Sequence, residues 1–170
     1  KSIHVTPDSI EIDNSYISIN SVDSLIKPYS DSLDVEMNIV IAKAAVSFDK
    51  GRPNGSLNNW SADVVLESQK DRVLNGSRLC LLNVGGLRNS ISKGDVTIGD
   101  IFKLMPFDNE IVCVEMPLSS LNEIANYLVK SGGEPIGGAF LKDGKLTIED
   151  IGETDSTFCI VARISRLRRR

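Results

Sequence analysis

The sequence predicts an α+β fold, a single domain of mixed β-sheets with packed helices. Three observations predict it. Short β-rich runs are interspersed with stretches of helical spacing along all 170 residues. The chain is 41% hydrophobic and 25% charged, enough apolar material for a sizeable core in one domain. No internal repeat and no low-complexity linker divides it. Aromatic residues are only 5%, so the core must consist mostly of Ile, Leu and Val.

The elements follow in order. Ile3 to Ile19 alternates weakly and predicts two short strands turning at Asp13-Asn14-Ser15. Ser21 to Val35 places Val22, Leu25, Ile26, Tyr29 and Leu33 at helical spacing, with Pro28 as a kink or break. Asn38 to Phe48 is β-rich, and Asp49 to Ser56 is a turn-forming loop. A helix is expected from Leu57 to Gln69, burying Leu57, Trp60, Val64 and Val65. Leu79 to Leu82 is a continuous apolar strand that runs into Asn83-Val84-Gly85-Gly86-Leu87-Arg88. Thr97-Ile98-Gly99-Asp100 is a capping box opening a short helix to Met105. Pro106-Phe107-Asp108-Asn109 breaks that helix, and Glu110 to Met116 is a strand. Ser120 and Glu123 predict a second capping box, with Leu121, Ile124, Ala125 and Leu128 on one face and Gly132-Gly133 as the stop. Ala139 to Leu141 and Lys145 to Ile148 flank Lys142-Asp143-Gly144 as a hairpin, and Thr157 to Val161 is the last strand.

Charge and composition exclude several functions. The net charge of −4 hides an asymmetry, because residues 163–170 hold five arginines. Without them, 14 basic residues face 23 acidic ones, a net −9. The body is therefore a poor nucleic-acid surface, and only the tail is basic. The single histidine, His4, leaves little room for Ser-His-Asp or Cys-His catalysis or for a His-rich two-metal centre. Cys80, Cys113 and Cys159 sit apart in apolar, strand-like runs and read as buried free cysteines. Glycosylation patterns at Asn54, Asn59 and Asn75 read as incidental. No run approaches the ~18 apolar residues of a membrane span.

Three segments carry chemistry. Paired Gly85 and Gly86 at a strand end let the backbone turn sharply and approach a ligand closely. Asn83 before them can both donate and accept, and Arg88 after them offers a planar fork suited to phosphate or carboxylate. The bland alternative is a tight turn with a solvated Arg. Phe107 on a loop can stack on a flat ring, or plug the core beneath it. Arg52, just ahead of a helix start, fits an anion site or a plain surface position.

Taken in order, these segments resemble the C-terminal domain of the 5'-nucleotidase family, which includes UDP-sugar hydrolases and ecto-5'-nucleotidases. The resemblance runs through Arg52-Pro53 with Leu57, Asn59, Ala62 and Asp63, then Leu81 to Arg88, Gly94 with Val96-Thr97, and Leu104 to Asn109. It implies that Arg88 reaches phosphate, Asn83 holds the sugar, Phe107 stacks on the base and Asn109 contacts the base. It implies that Gly85 and Gly86 shape the turn, while Arg52 matches a substrate-side Arg only loosely. Asp108 stands where Gly is usual, and Val84 replaces a smaller residue.

The resemblance further implies a substrate-recognition half, binding a nucleotide or nucleotide sugar, with no cofactor of its own. A divalent metal pair belongs to a metallophosphoesterase domain acting in trans or lost from this chain. The alternative is a non-catalytic nucleotide-binding module. Family habit implies the periplasm, cell surface or extracellular space, and leaves membrane anchoring upstream of residue 1 open. Residue 1 is Lys, so the chain reads as a processed form or a fragment.

The domain boundary is drawn at residue 161, with 162–170 as a basic tail. Family members continue past the last strand with a segment of the type Tyr-Leu-Ala-x-Gly-Gly-Asp-Gly. Reading from the second base of the Ile164 codon permits Tyr-Leu-Ala-(Ser or Cys)-Gly-Gly-Asp, so the tail reads as out of frame or non-native. The competing readings are a genuine polyanion- or membrane-binding tail and a cloning scar.

Overall fold

A computed structural model describes residues 20–71, 77–153 and 155–165. The two strands expected between Ile3 and Ile19 lie outside the described residues. The first helix, α1 (Asn20–Met37), runs through Pro28 and leaves Leu25, Tyr29 and Val35 exposed. β1 (Val40–Ala44) leads to the Asp49–Ser56 turn, which contains a cis Arg52-Pro53 bond, and then to α2 (Ser56–Ser68). α2 buries Leu57 as expected, but also the polar Asn58 and Ser61, while Val64 faces solvent. The reason is geometric. α2 lies between two apolar clusters, one containing Leu57 and the other Ala62, and the residues between them are covered whatever their polarity. The Asn58 amide adapts by donating to the Gly51 carbonyl at 2.8 Å.

β2 (Arg78–Leu81) enters a 3-10 turn at Val84–Gly86. β3 (Gly94–Thr97) pairs with β1, and α3 (Ile98–Leu104) follows directly. The α3 capping box forms as expected. Thr97 Oγ1 accepts from the Asp100 N–H at 3.1 Å, and Asp100 Oδ2 accepts from the Thr97 N–H at 2.9 Å. β4 (Asn109–Pro117) leads through a 3-10 turn at Leu118–Ser120 into α4 (Leu121–Ser131). The second capping box does not form. The preceding turn already holds Ser120 in a right-handed helical conformation (φ −73°, ψ −14°), whereas a capping residue needs an extended one. Gly132 and Gly133, both at positive φ, close α4 as expected, with the Gly133 N–H donating to the Leu128 carbonyl at 2.9 Å.

A short β5 (Ile136–Gly137), not expected from the sequence, precedes the hairpin of β6 (Ala139–Lys142) and β7 (Lys145–Ile148). Asp143 and Gly144 take positive φ at its turn. The last strand, β8 (Thr157–Ser165), passes the boundary drawn at Val161, so Ala162 to Ser165 belongs to the sheet and not to a tail.

The main sheet has the order β4-β8-β2-β5. β8 is parallel to β2 and antiparallel to β4, and β5 is antiparallel to β2. Alternation along the central pair explains the apolar run read in β2. Leu79 with Phe158 and Ile160 faces α4 and the β6–β7 hairpin, while Cys80 with Val161 faces α2. The central β2–β8 pair is thus covered on both faces, while β4 at the sheet edge stays largely exposed. Burial pushes the Cys80 thiol up to about 12, aided by the nearby Asp63 carboxylate, so Cys80 is an inert core residue.

The expectation of three free cysteines holds only for Cys80. Cys113 and Cys159 form a disulfide, with Cα atoms 6.1 Å apart. The antiparallel register pairs Cys113 with Val161 and Glu115 with Cys159, which brings the two cysteines diagonally together on one face. Cysteines 46 residues apart reveal this only once the register of their strands is known.

A Cys113→Ser/Cys159→Ser variant is expected to lose about 2–4 kcal/mol of stability in denaturant unfolding. In the folded, untreated protein, a thiol-reactive dye should label no cysteine, and after unfolding without reductant only one. The α3 cap has a pH signature. Bonds from the Thr97 backbone N–H and then its hydroxyl hold the Asp100 carboxyl below its ordinary 3.8. A lowered folded value stabilises the native state above the ordinary carboxylate range, and that contribution disappears as pH falls through the lowered value. Thermal midpoints between pH 6 and pH 2.5 should fall less steeply for Asp100→Asn than for the unsubstituted protein.

Candidate functional site

The parallel alignment of β2 and β8 brings their carboxyl ends to the same edge of the sheet. β4 is antiparallel to β8, so its amino end arrives at that edge too, with Asn109 opposite Ser165. The turn after β2, the loop before β4 and the end of β8 therefore converge. Crevices beyond the carboxyl ends of parallel strands are recurrent ligand sites.

Asn83 opens the turn. Its Oδ1 accepts from the Gly86 N–H at 2.6 Å, which fixes the 3-10 geometry. The Val84 N–H donates to Glu134 Oε2 at 2.6 Å. Glu134 is only 8% exposed, and its other oxygen accepts from Arg52 Nη2 at 2.8 Å. Arg52 Nη1 also donates to the Ser131 carbonyl at the end of α4. Arg52 is thus engaged with the α4 terminus and reaches the turn only through Glu134. Sequence reasoning misses Glu134, because a Glu after paired glycines reads as an ordinary surface residue.

Arg88 anchors its backbone N–H on the Leu104 carbonyl at 2.8 Å, and its guanidinium lies 5.1 Å from the Phe107 ring centroid. That is cation–π distance. Phe107 is 45% exposed and is no plug of the core. Asn109 Nδ2 approaches the Phe107 carbonyl at 3.3 Å. Arg88, Phe107 and Asn109 are therefore brought together at this edge.

Two further residues complete this edge. Arg163, in the segment read as a tail, lies 6.0 Å from the Phe107 centroid. Its Nη1 donates to Met105 Sδ at 3.0 Å, and burial pushes its pKa down. Tyr127, on α4, joins Leu81, Leu82, Asn83, Asn109 and Arg163 around a cavity of about 300 Å³. Nothing in the spacing of α4 distinguishes Tyr127 from any other exposed aromatic. Arg163 was legible only as one member of a basic run.

The charge of this cavity differs from that of a larger one. A volume of about 390 Å³ between the Pro53-Asn54 turn, α2 and residues 133–141 has Asp63, Glu134 and Glu149 in its walls. Burial raises the Asp63 carboxyl above its ordinary value. Acidic walls disfavour an anion, whereas the smaller cavity is lined by one guanidinium, that of Arg163, and by no acidic side chain. Among the described residues, no group of three or more His, Cys, Asp or Glu side chains is arranged to hold a metal ion. No helix among them is long and apolar enough to cross a membrane.

Comparison with known proteins places this architecture. Protein UshA of Escherichia coli (strain K12) is 26% identical over 132 residues, which cover 72% of this chain and 24% of that protein. Endonuclease YhcR of Bacillus subtilis (strain 168) is 29% identical over 109 residues, 62% of this chain and 8% of that protein. The chain thus spans a quarter or less of either relative. The solved 5'-nucleotidase precursor of Thermus thermophilus matches with a TM-score of 0.60 at 19% identity, covering 85% of this chain and 33% of that one. The solved 5'-nucleotidase of Candida albicans SC5314 matches with a TM-score of 0.59 at 17% identity, covering 85% and 36%. A family model described as "5'-nucleotidase, C-terminal domain" matches residues 40–127, more than half of the chain. The chain belongs to the 5'-nucleotidase C-terminal domain family.

Proposed function

We propose that this domain is the substrate-recognition half of a 5'-nucleotidase-like phosphohydrolase, binding a nucleotide or nucleotide sugar in the crevice at the sheet edge. The observation that carries this reading is a chain of contacts: Arg88 lies over the Phe107 ring, Asn109 approaches the Phe107 carbonyl, and Asn109 shares a cavity with Asn83. A guanidinium suits phosphate, an exposed ring suits a base, and two carboxamides suit sugar hydroxyls and base edges. In this reading Arg88 takes the phosphate, Phe107 the base, Asn109 the base edge and Asn83 the sugar. Gly85 and Gly86 let the backbone turn beneath them. Arg52 acts at one remove, through Glu134 and the Val84 amide.

Hydrolysis would come from a metallophosphoesterase domain, acting in trans or in a longer chain, whose metal pair polarises the phosphate and activates water. The described residues offer no ligand set for that pair, so no chemical step is assigned to them. The Cys113–Cys159 disulfide supports a periplasmic, cell-surface or extracellular setting, where such bonds persist.

Calorimetric titration with AMP tests the reading. Arg88→Gln should weaken AMP binding by about 10-fold or more, the value of a charge-assisted bond. The purified chain should release no phosphate from AMP with added divalent metal. Phosphate release that survives further purification, or AMP binding indifferent to Arg88, would overturn it. Glu134→Ala should cost about 1–3 kcal/mol of stability, since it strands the Val84 N–H and removes one of the Arg52 guanidinium's partners. Glu134→Gln should recover part of that loss.

A further inference from the structure

Gly86 is the one glycine of the turn whose missing side chain is filled by another residue. A Cβ there would overlap Nη2 of Arg163 and stand 2.7 Å from its Cζ. At Gly85 a Cβ would meet only the Asn83 side chain, at 3.8 Å, so the two adjacent glycines serve different ends. Gly86 is the seat on which the Arg163 guanidinium rests.

The β8 register explains how Arg163 reaches that seat. β8 pairs in parallel with β2, Leu81 opposite Ala162, so the next residue of β8 lies level with the turn that follows β2. Arg163 also falls on the same strand face as Val161, the face that packs towards α2. Past the end of that packing, the side chain can fold over the turn. Of the side chains lining the 300 Å³ cavity, Arg163 is the charged one; Leu81, Leu82, Asn83, Asn109 and Tyr127 are neutral.

The partners of this guanidinium are weak ones for so strong a donor. Nη1 meets a thioether sulfur, and the Phe107 ring stands 6.0 Å away. Arg88 approaches the same ring at 5.1 Å. Two like charges gathered about one ring repel each other, and an anion between them would relieve that repulsion while using the free donors.

We propose that Arg163, seated on Gly86, is a second anion anchor of the nucleotide crevice, and that with Arg88 it selects nucleotides carrying a pyrophosphate over nucleoside monophosphates. The inference rests on the nucleotide reading above. In it, Arg88 holds one phosphate and Arg163 holds the next, while Phe107, near both guanidiniums, stacks on the base.

The test measures binding of AMP, ADP, inorganic phosphate and pyrophosphate to the full chain by calorimetry at fixed ionic strength. The unsubstituted protein should bind ADP about 10-fold or more tightly than AMP. Arg163→Gln should bring that ratio close to one while changing AMP affinity less than about 3-fold, and Arg163→Lys should restore it in part. Gly86→Ala is a second route, since its Cβ evicts the guanidinium and leaves Arg163 in the sequence, although it would also stand 3.0 Å from Asn83 Oδ1. It too should collapse the ratio, with circular dichroism and the thermal midpoint checking the fold. An ADP preference that survives both Arg163→Gln and Gly86→Ala overturns the proposal. So does equal binding of AMP and ADP by the unsubstituted protein, and in that case the nucleotide reading stands. Arg163-dependent preference for pyrophosphate over phosphate, with no gain from the nucleoside, would instead support the anchor and overturn the nucleotide reading.

Discussion

β8 is hydrogen-bonded along both of its edges, to β4 over its whole length and to β2 over residues 159–162. This two-sided pairing fixes the remaining structure. It makes β2 and β8 a parallel pair inside an otherwise antiparallel sheet, and a parallel pair needs cover on both faces. α2 supplies one cover and α4 with the β6–β7 hairpin supplies the other. The same pairing brings two strand ends and one strand start to a single edge. The crevice is a consequence of strand direction before it is a consequence of any side chain.

The polar residues at that edge form linked layers. Asn83 and Glu134 hold the turn through backbone amides, and Arg52 braces Glu134 against the end of α4. These bonds satisfy groups that would be costly to leave unpaired in a half-buried turn. Held this way, the turn presents Gly86 to Arg163 and Arg88 to Phe107 with little freedom to rearrange. The guanidinium atoms at the surface of the crevice retain donors for a ligand. The result is a braced backbone turn beneath, with two guanidiniums near an exposed ring.

Much of this was readable from spacing alone. The α3 capping box, the Asp143-Gly144 hairpin and the Gly132-Gly133 stop are local features, in which a few adjacent residues satisfy one another's backbone groups. The errors differ in origin, one local and one tertiary. Ser120 lost its capping role because the preceding turn had already made it helical. Asn58 and Ser61 became buried because α2 is covered from two sides, which no periodicity of α2 itself records.

The sequence by itself determined the mixed fold class and most element positions, and it singled out Asn83, Gly85, Gly86, Arg88, Phe107 and Asn109 as candidates. Those depend on neighbours within a few positions, where steric and hydrogen-bonding preferences act directly. Only the tertiary structure decided the disulfide between Cys113 and Cys159, the role of Glu134 under the turn, and the seat of Arg163 on Gly86. Each of these joins residues far apart in the chain, and each is set by strand register or by the packing of an element end. A shift of β8 by one residue would turn Arg163 away from the turn and part the two cysteines, although the sequence would be unchanged.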